Sequence, residues 1–199
     1  MGSDANRLRK KWQDYSGKNA GRAELDFFTT FEVLFQETEY IIEKHPKVFD
    51  KVYIDVKLSS KELSEIFTPP EPISRHGVVP DYSINNSETG KTIFIEVKRQ
   101  DGWVEGKTRA DGRGNAHERS CKYFTPGLQK ILRGQGKLGE KPLPFWTVFQ
   151  GDITRDPCRV REITLWYGEY TDHYFFWRDS KNQVPLIEHF IERVKPLLE

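Results

Sequence analysis

Apolar residues recur with a spacing close to the period of an α-helix near both ends of the chain. Near the beginning, the apolar positions are Leu25, Phe28, Phe31, Phe35 and Ile42. Near the carboxyl end, they are Leu186, Phe190, Val194 and Leu197. Each series predicts an amphipathic helix that packs against a core. The first helix is expected to run from Glu24 to His45 and to end at Pro46.

Short apolar runs in the middle of the chain predict β-strands. Val78–Ile84 and Thr92–Arg99 flank the turn-rich sequence NNSETG, which ends in glycine. This order predicts an antiparallel hairpin. Phe145–Phe149 and Val160–Trp166 predict two further strands.

Further helices are predicted before and between these strands. Ala5–Asp14 predicts a short basic helix, and Ser59 with Glu62 forms a capping-box pattern. Helical spacing also continues across Pro126, through Cys121, Phe124, Leu128 and Ile131. It predicts one kinked helix or two short helices in line. The order of elements indicates an α/β fold, with a central mixed β-sheet flanked by helices, in a single domain over residues 1–199.

Composition narrows the class of protein. The chain has 199 residues, of which 36% are hydrophobic and 13% aromatic, so it can form a substantial core. No apolar run approaches the ~18 residues that a membrane span needs, and no membrane partner is expected. Cys121 and Cys158 form no CxxC pair, so no zinc or redox motif is predicted. We expect a cytoplasmic protein with reduced thiols.

The charge is unevenly distributed along the chain. The net charge is +1, but residues 98–137 contain ten Lys or Arg and four Asp or Glu, a local balance of +6. Seven of the 15 glycines lie in the same segment. A basic, glycine-rich segment in an otherwise acidic chain favours a polyanionic partner, with a solvated loop region as the alternative.

The predicted hairpin brings an unusual set of charged residues together. Glu96 and Lys98 point to the same face of their strand, about 7 Å apart, and Asp81 lies on the neighbouring strand. Two converging carboxylates repel each other unless a cation lies between them. Mg²⁺ prefers such oxygens and retains water ligands, one of which can act as a nucleophile. The alternative is an ordinary solvated strand face.

A second group of polar residues follows in the basic segment. Glycines flank Arg113, and Asn115, His117 and Arg119 come just before a predicted helix. Arginine can bind guanine through two hydrogen bonds, and asparagine can bind adenine in the same way. The segment could therefore read bases in the major groove. A glycine-rich loop capped by Asn115 is the alternative.

These motifs together resemble a known family. Pro80-Asp81 followed by Glu96-Val97-Lys98 resembles the PD-(D/E)xK motif of metal-dependent nucleases. The segment GNAHERS, residues 114–120, resembles the GNAIERS segment of EcoRI, and PFWTVFQGD resembles the strand that follows it there. The resemblance to EcoRI-like type II restriction endonucleases of the PD-(D/E)xK superfamily covers roughly residues 78–152.

The resemblance implies a specific activity. It implies the restriction-endonuclease fold, a homodimer, and Mg²⁺-dependent hydrolysis of double-stranded palindromic DNA with an AATT core, leaving 5′ overhangs. The length of the chain and the sequence GRGNAHERS resemble one member of this family in particular. That resemblance implies the recognition site CAATTG, cut after the first C. In this interpretation Asp81, Glu96 and Lys98 are catalytic, and Asp81, Glu96 and the Val97 carbonyl bind the metal.

The resemblance also implies the DNA contacts. Asn115, Ala116 and Arg119 match the part of the motif that contacts the AATT bases. The remaining predicted DNA-binding residues are Arg113, Gly114 and His117, with Arg113 assigned to the outer base pair. His117 replaces an isoleucine of the motif, which leaves its role open.

Two other classes of protein fit part of the pattern. A repair or junction-resolving nuclease would use the same catalytic residues but would not need GNAHERS. A non-catalytic DNA-binding protein would retain the basic segment without needing the carboxylates to converge. Digestion of plasmid DNA with Mg²⁺ would separate these classes by discrete bands, structure-dependent nicks or no cleavage.

Overall fold

The computed structural model describes residues 26–49, 56–67, 77–102, 104–107 and 116–199. The predicted helix Ala5–Asp14 lies outside the described residues, as do Arg113, Gly114 and Asn115. Within the described ranges, no helix is long and apolar enough to cross a membrane.

A five-stranded mixed sheet forms the centre of the molecule, with its strands in chain order. The strands are β1 (Tyr40–Lys44), β2 (Tyr82–Asn86), β3 (Thr92–Arg99), β4 (Phe145–Gln150) and β5 (Tyr174–Trp177). The pairs β1–β2 and β2–β3 are antiparallel, whereas β3–β4 and β4–β5 are parallel. The predicted fold class, an α/β fold with a mixed sheet, is confirmed.

Helices cover both faces of the sheet. The α-helices are α1 (residues 26–34), α2 (Ser60–Glu65), α3 (Pro126–Gly136), α4 (Pro157–Tyr167), α5 (Val184–His189) and α6 (Lys195–Leu198). A π-helical turn, Phe190–Val194, joins α5 to α6. Short 3₁₀ helices span Lys47–Phe49, Glu118–Phe124, Asp152–Thr154 and Thr171–His173. The parallel step from β3 to β4 requires a long crossover, and this crossover contains the GNAHERS segment and α3.

The core has two layers, one on each face of the sheet. The layer on the α1 side includes Phe27, Phe31, Ile95, Trp146 and Phe190. The layer on the α3 and α4 side includes Phe94, Tyr123, Phe145, Ile163 and Tyr167. Because side chains alternate along β3, Ile93, Ile95 and Val97 enter the first layer, and Glu96 and Lys98 point to the second. The candidate site therefore lies on the face that carries the crossover.

The predicted strand Val160–Trp166 is wrong, because these residues belong to helix α4. The side chain of Asp156 caps the helix by accepting hydrogen bonds from the N–H groups of Cys158 (2.9 Å) and Arg159 (3.2 Å). Pro157 occupies the first turn, where its missing N–H costs nothing. The Asp-Pro start signal therefore outweighs the apolar run that suggested a strand.

The predicted helix from Glu24 to His45 is too long. Its described helical residues are 26–34, and the chain turns through Glu37, which has a φ of 60°, into strand β1. Strand β1 pairs with β2 from Tyr40 opposite Asn86 to Lys44 opposite Tyr82. Tyr40–Lys44 form a strand because they pair with β2 at the edge of the sheet. The spacing of apolar residues within Tyr40–Lys44 does not indicate that pairing.

Several other predictions are confirmed. Strand β3 has the predicted bounds, and it pairs with β2 as an antiparallel hairpin, although β2 begins at Tyr82 rather than Val78. Ser59 and Glu62 form the capping box of α2. The helical pattern around Pro126 corresponds to two consecutive helices, the 3₁₀ helix Glu118–Phe124 and α3, and the carboxyl-terminal helix buries Leu186, Phe190 and Val194. Strand β5 was not predicted.

Candidate active site and GNAHERS segment

The hairpin brings Asp81 and Glu96 to the same place. Tyr82 of β2 pairs with Ile95 of β3, so Asp81, one residue earlier, lies opposite Glu96, one residue later. The N–H of Val97 donates a hydrogen bond to Asp81 Oδ2 at 2.7 Å. The Asp81 carboxylate is therefore held against the strand that carries Glu96.

The ammonium group of Lys98 lies among three oxygen atoms. Its Nζ is 2.5 Å from Glu96 Oε1 and 3.6 Å from Asp81 Oδ2. It also lies 3.5 Å from the carbonyl oxygen of Val97. These are the same three groups that the sequence predicts as metal ligands. The structure therefore brings together Asp81, Glu96, Val97 and Lys98, which we call the hairpin site.

Glu96 of the hairpin site is buried, at 4% exposed. The Tyr123 hydroxyl donates a hydrogen bond to Glu96 Oε2 at 2.6 Å. Lys122 Nζ lies 3.7 Å from Oε1 of the same carboxylate and 4.9 Å from the centre of the Tyr123 ring. Lys122 and Tyr123 were not predicted from the sequence. They follow the GNAHERS segment by two and three residues, but no local pattern specifies that they reach Glu96.

The donor set of the hairpin site suits a hard divalent cation. It offers two carboxylates and a backbone carbonyl, all of them oxygen ligands. Among the residues that the structure describes, no group of three His, Cys, Asp or Glu side chains could hold a metal. Mg²⁺ fits this sparse set, because it retains several waters and takes further oxygens from a bound phosphate.

The described part of the GNAHERS segment, which begins at Ala116, contacts the end of strand β3. The N–H of Ala116 donates to Gln100 Oε1 at 3.3 Å, and Gln100 directly follows β3. The 3₁₀ helix Glu118–Phe124 begins two residues later. Arg119 is exposed on this helix. The predicted base-contacting residues that are described therefore lie in the chain segment that leads to Tyr123.

His117, which belongs to the GNAHERS segment, is fully buried. Its ring stacks on Trp166 of α4, with centroids 5.2 Å apart and planes 5° apart, and its Nε2 lies 3.2 Å from Glu162 Oε2. Burial and the charge of Arg159 lower the pKa of His117, although Glu162 opposes this shift. In this conformation the ring contacts α4 rather than solvent. A DNA contact by His117 stays a prediction without support from this geometry.

A mixed sheet with a carboxylate pair and a lysine on adjoining strands defines a nuclease of the PD-(D/E)xK class. Comparison with known proteins gives the family. The family model described as Type II restriction enzyme MunI matches residues 1–199. The chain therefore belongs to the MunI family of type II restriction enzymes.

Individual relatives agree with this assignment. Type II restriction enzyme MunI from Mycoplasma sp is 48% identical over 202 residues, covering 100% of both chains. The crystal structure of MunI restriction endonuclease in complex with cognate DNA is similar with a TM-score of 0.81 and 48% identity. That match covers 94% of this chain and 97% of the other.

Membership of this family confirms the predicted activity class. The chain is a sequence-specific type II restriction endonuclease, and the family typically uses a divalent metal. The structural neighbour is a DNA complex, which supports DNA binding. The two alternatives, a structure-reading repair nuclease and a non-catalytic DNA-binding protein, are therefore set aside.

Proposed function

We propose that this enzyme is a homodimer that cuts double-stranded DNA at CAATTG after the first C, with Mg²⁺ as cofactor, and leaves 5′ AATT overhangs. The observation that carries the proposal is the convergence of Asp81 Oδ2, Glu96 Oε1 and the Val97 carbonyl around Lys98 Nζ. The 48% identity to MunI over the full chain supports the same site sequence.

The residues of the hairpin site have separate roles in this proposal. Asp81, Glu96 and the Val97 carbonyl would hold Mg²⁺, which when bound supplies a polarised water and positive charge near the phosphate. The Val97 N–H fixes Asp81, and Tyr123 fixes Glu96, so both carboxylates are oriented before substrate arrives. Lys98 positions the attacking water and offsets the negative charge that develops on the phosphate.

The GNAHERS segment and Arg113 are assigned to recognition. Asn115, Ala116 and Arg119 are proposed to contact the AATT bases, Arg113 the outer base pair, and Gly114 the DNA. The exposure of Arg119, on the helix that carries Tyr123, supports this assignment. For His117 we infer a supporting role, because its ring stacks on Trp166 and holds the segment against α4.

A homodimer follows from the symmetry of the proposed site. A palindromic sequence has a two-fold axis, and a dimer with the same axis places one hairpin site on each strand. Cleavage of both strands from one bound complex then needs no reorientation of the enzyme.

Digestion of defined plasmids tests the proposal. One plasmid carries a single CAATTG, and a matched plasmid carries GAATTC at the same position. We expect linearisation of the first plasmid only, dependent on Mg²⁺ and abolished by EDTA, with sequenced ends that show 5′ AATT overhangs. Sedimentation of the DNA complex should give two protein chains per duplex.

Other outcomes would overturn specific parts of the proposal. Equal cutting of both plasmids would contradict the outer base pair, and full cleavage in EDTA would contradict the metal assignment. One chain per cleaved duplex would contradict the homodimer.

A further inference from the structure

Tyr123 connects the GNAHERS segment to a carboxylate of the hairpin site. Its hydroxyl is 2.6 Å from Glu96 Oε2, a short hydrogen bond between two buried groups. Tyr123 is 1% exposed and Glu96 is 4% exposed, so water does not compete freely for this bond. The ring is fixed by packing against Phe145 of β4, with centroids 5.4 Å apart. The Glu96 carboxylate is thus oriented by a side chain that is itself immobilised.

The helix that carries Tyr123 also carries Arg119. Side chains three residues apart eclipse each other on a 3₁₀ helix, so Ser120 and Tyr123 share one side and Arg119 and Lys122 another. Ser120 and Tyr123 are each 1% exposed, Arg119 is exposed, and the Lys122 side chain is 40% exposed. One side of the helix therefore meets the core and Glu96. On the other side Arg119 is exposed, whereas Lys122 is partly exposed and its Nζ reaches to 3.7 Å from Glu96 Oε1.

This helix is long for its type and is held by hydrogen bonds at its start. It spans seven residues, whereas 3₁₀ runs beyond three or four are uncommon and often mark functional hinges. At its start, the His117 carbonyl accepts hydrogen bonds from the Ser120 hydroxyl (2.6 Å) and the Ser120 N–H (3.1 Å). From Arg119 to Tyr123 the helix rises only about 8 Å. A displacement at Arg119 therefore reaches Tyr123 within little more than one turn.

We propose that Tyr123 is a positioning residue that couples base recognition at Arg119 to the orientation of the metal-binding carboxylate Glu96. This inference rests on the proposed roles of Arg119 and Glu96. When Arg119 contacts its correct base, the helix keeps the position in which the Tyr123 hydroxyl orients Glu96. When the base is wrong, the helix shifts, and Glu96 loses the hydrogen bond that orients it. Sequence recognition then controls metal binding as well as DNA affinity.

Tyr123→Phe tests this proposal, because it removes the hydroxyl and retains the ring. Mg²⁺ affinity is measured by calorimetry on the complex with a cognate duplex whose scissile linkage cannot be hydrolysed. We expect Mg²⁺ to bind about tenfold more weakly or worse, as for other groups that orient metal ligands. We also expect a lower ratio of cleavage rates between the cognate site and a site with one wrong inner base. Tyr40→Phe, a buried tyrosine on the opposite side of the sheet, is the matched control.

The outcomes distinguish coupling from a purely structural role. If Tyr123→Phe lowers the melting temperature but leaves Mg²⁺ affinity or the cleavage ratio at the value of Tyr40→Phe, the proposed coupling is wrong. Asp81→Ala is measured in the same series. Retained Mg²⁺ binding and cleavage in Asp81→Ala would contradict the proposed function itself. An inactive Asp81→Ala beside an unaffected Tyr123→Phe would contradict only the coupling.

Discussion

The hairpin site and the GNAHERS segment reach the same side of the sheet by different means. In the hairpin site, Asp81 and Glu96 face each other because their strands are neighbours in sequence and pair directly. The GNAHERS segment is placed by contacts with distant elements, through Gln100 at the end of β3 and Trp166 on α4. The hairpin site is a product of local strand geometry, whereas the segment depends on tertiary packing.

This difference teaches which parts of the enzyme can vary independently. A strand pair fixes the distance between two carboxylates to within the register of the sheet. A segment held by side-chain packing can shift when its support changes, and the shift would alter base recognition without moving the hairpin site. Tyr123 is the described residue that joins the two regions by a hydrogen bond to Glu96.

The largest effect is expected from Asp81→Ala in the hairpin site. Cleavage should fall by a factor of about a thousand or more, because the proposed metal ligand is lost. Specific DNA binding should persist or strengthen, since a carboxylate near the phosphate is removed. Plasmid digestion and gel shift measure the two properties, and Asp179→Ala, at an exposed turn, is the control. Surviving cleavage would show that the hairpin site is not the catalytic site.

Lys98→Gln should have the next largest effect. We expect cleavage to slow by about 100- to 1,000-fold, since a positioned cation no longer offsets the charge on the phosphate. Single-turnover rates on a cognate duplex measure this loss, and Lys61→Gln on the exposed helix α2 is the control. A rate equal to that of the control would remove Lys98 from the catalytic group and leave only the carboxylates.

Arg119→Ala tests the GNAHERS segment separately from the hairpin site. Loss of a base contact should cost about 1–3 kcal/mol of discrimination between the cognate site and a site with one wrong base. Competition binding without metal measures this difference, with Arg161→Ala, an exposed arginine on α4, as the control. An equal loss on random DNA would instead identify Arg119 as a phosphate contact.

The smallest expected effect is a change of stability with pH, which depends on two histidines, His189 and His117. Burial lowers the pKa of His189, which stacks on Trp146 beneath the sheet, to about 4. Burial also lowers the pKa of His117 in the GNAHERS segment. The unfolded chain, in which the pKa of histidine is near 6.5, therefore takes up protons first as the pH falls. The stability that depends on the neutral histidines is fully present above pH 6.5 and is lost between pH 6.5 and about 4. For His189, the free energy of unfolding falls by roughly 1 kcal/mol per pH unit in this range.

Urea unfolding at several pH values between 7.5 and 4.5 checks this dependence. His189→Phe and His117→Phe retain a ring and should each flatten the curve, with His189→Phe giving the clearer change. An unchanged slope in His189→Phe would show that the native state already accommodates the charged ring.

Only those residues of the candidate site whose positions follow from neighbouring residues in the sequence were predicted. Asp81, Glu96 and Lys98 were found because strand alternation and a short hairpin are properties of neighbouring residues. Lys122 and Tyr123 were missed, because their contact with Glu96 depends on how the 3₁₀ helix packs against β3 and β4. No spacing within the segment specifies that packing.

The amino-acid sequence by itself determined the hairpin, the bounds of β3, the charged face of that strand and the family to which GNAHERS belongs. These features depend on side-chain alternation, turn residues and short motifs, all of which lie within a few residues of one another. Only the tertiary structure decided that Tyr40–Lys44 is an edge strand and that His117 is buried. It also decided that Tyr123 reaches Glu96. Each of these outcomes depends on a partner far away in the chain, and burial against that partner outweighs local preference.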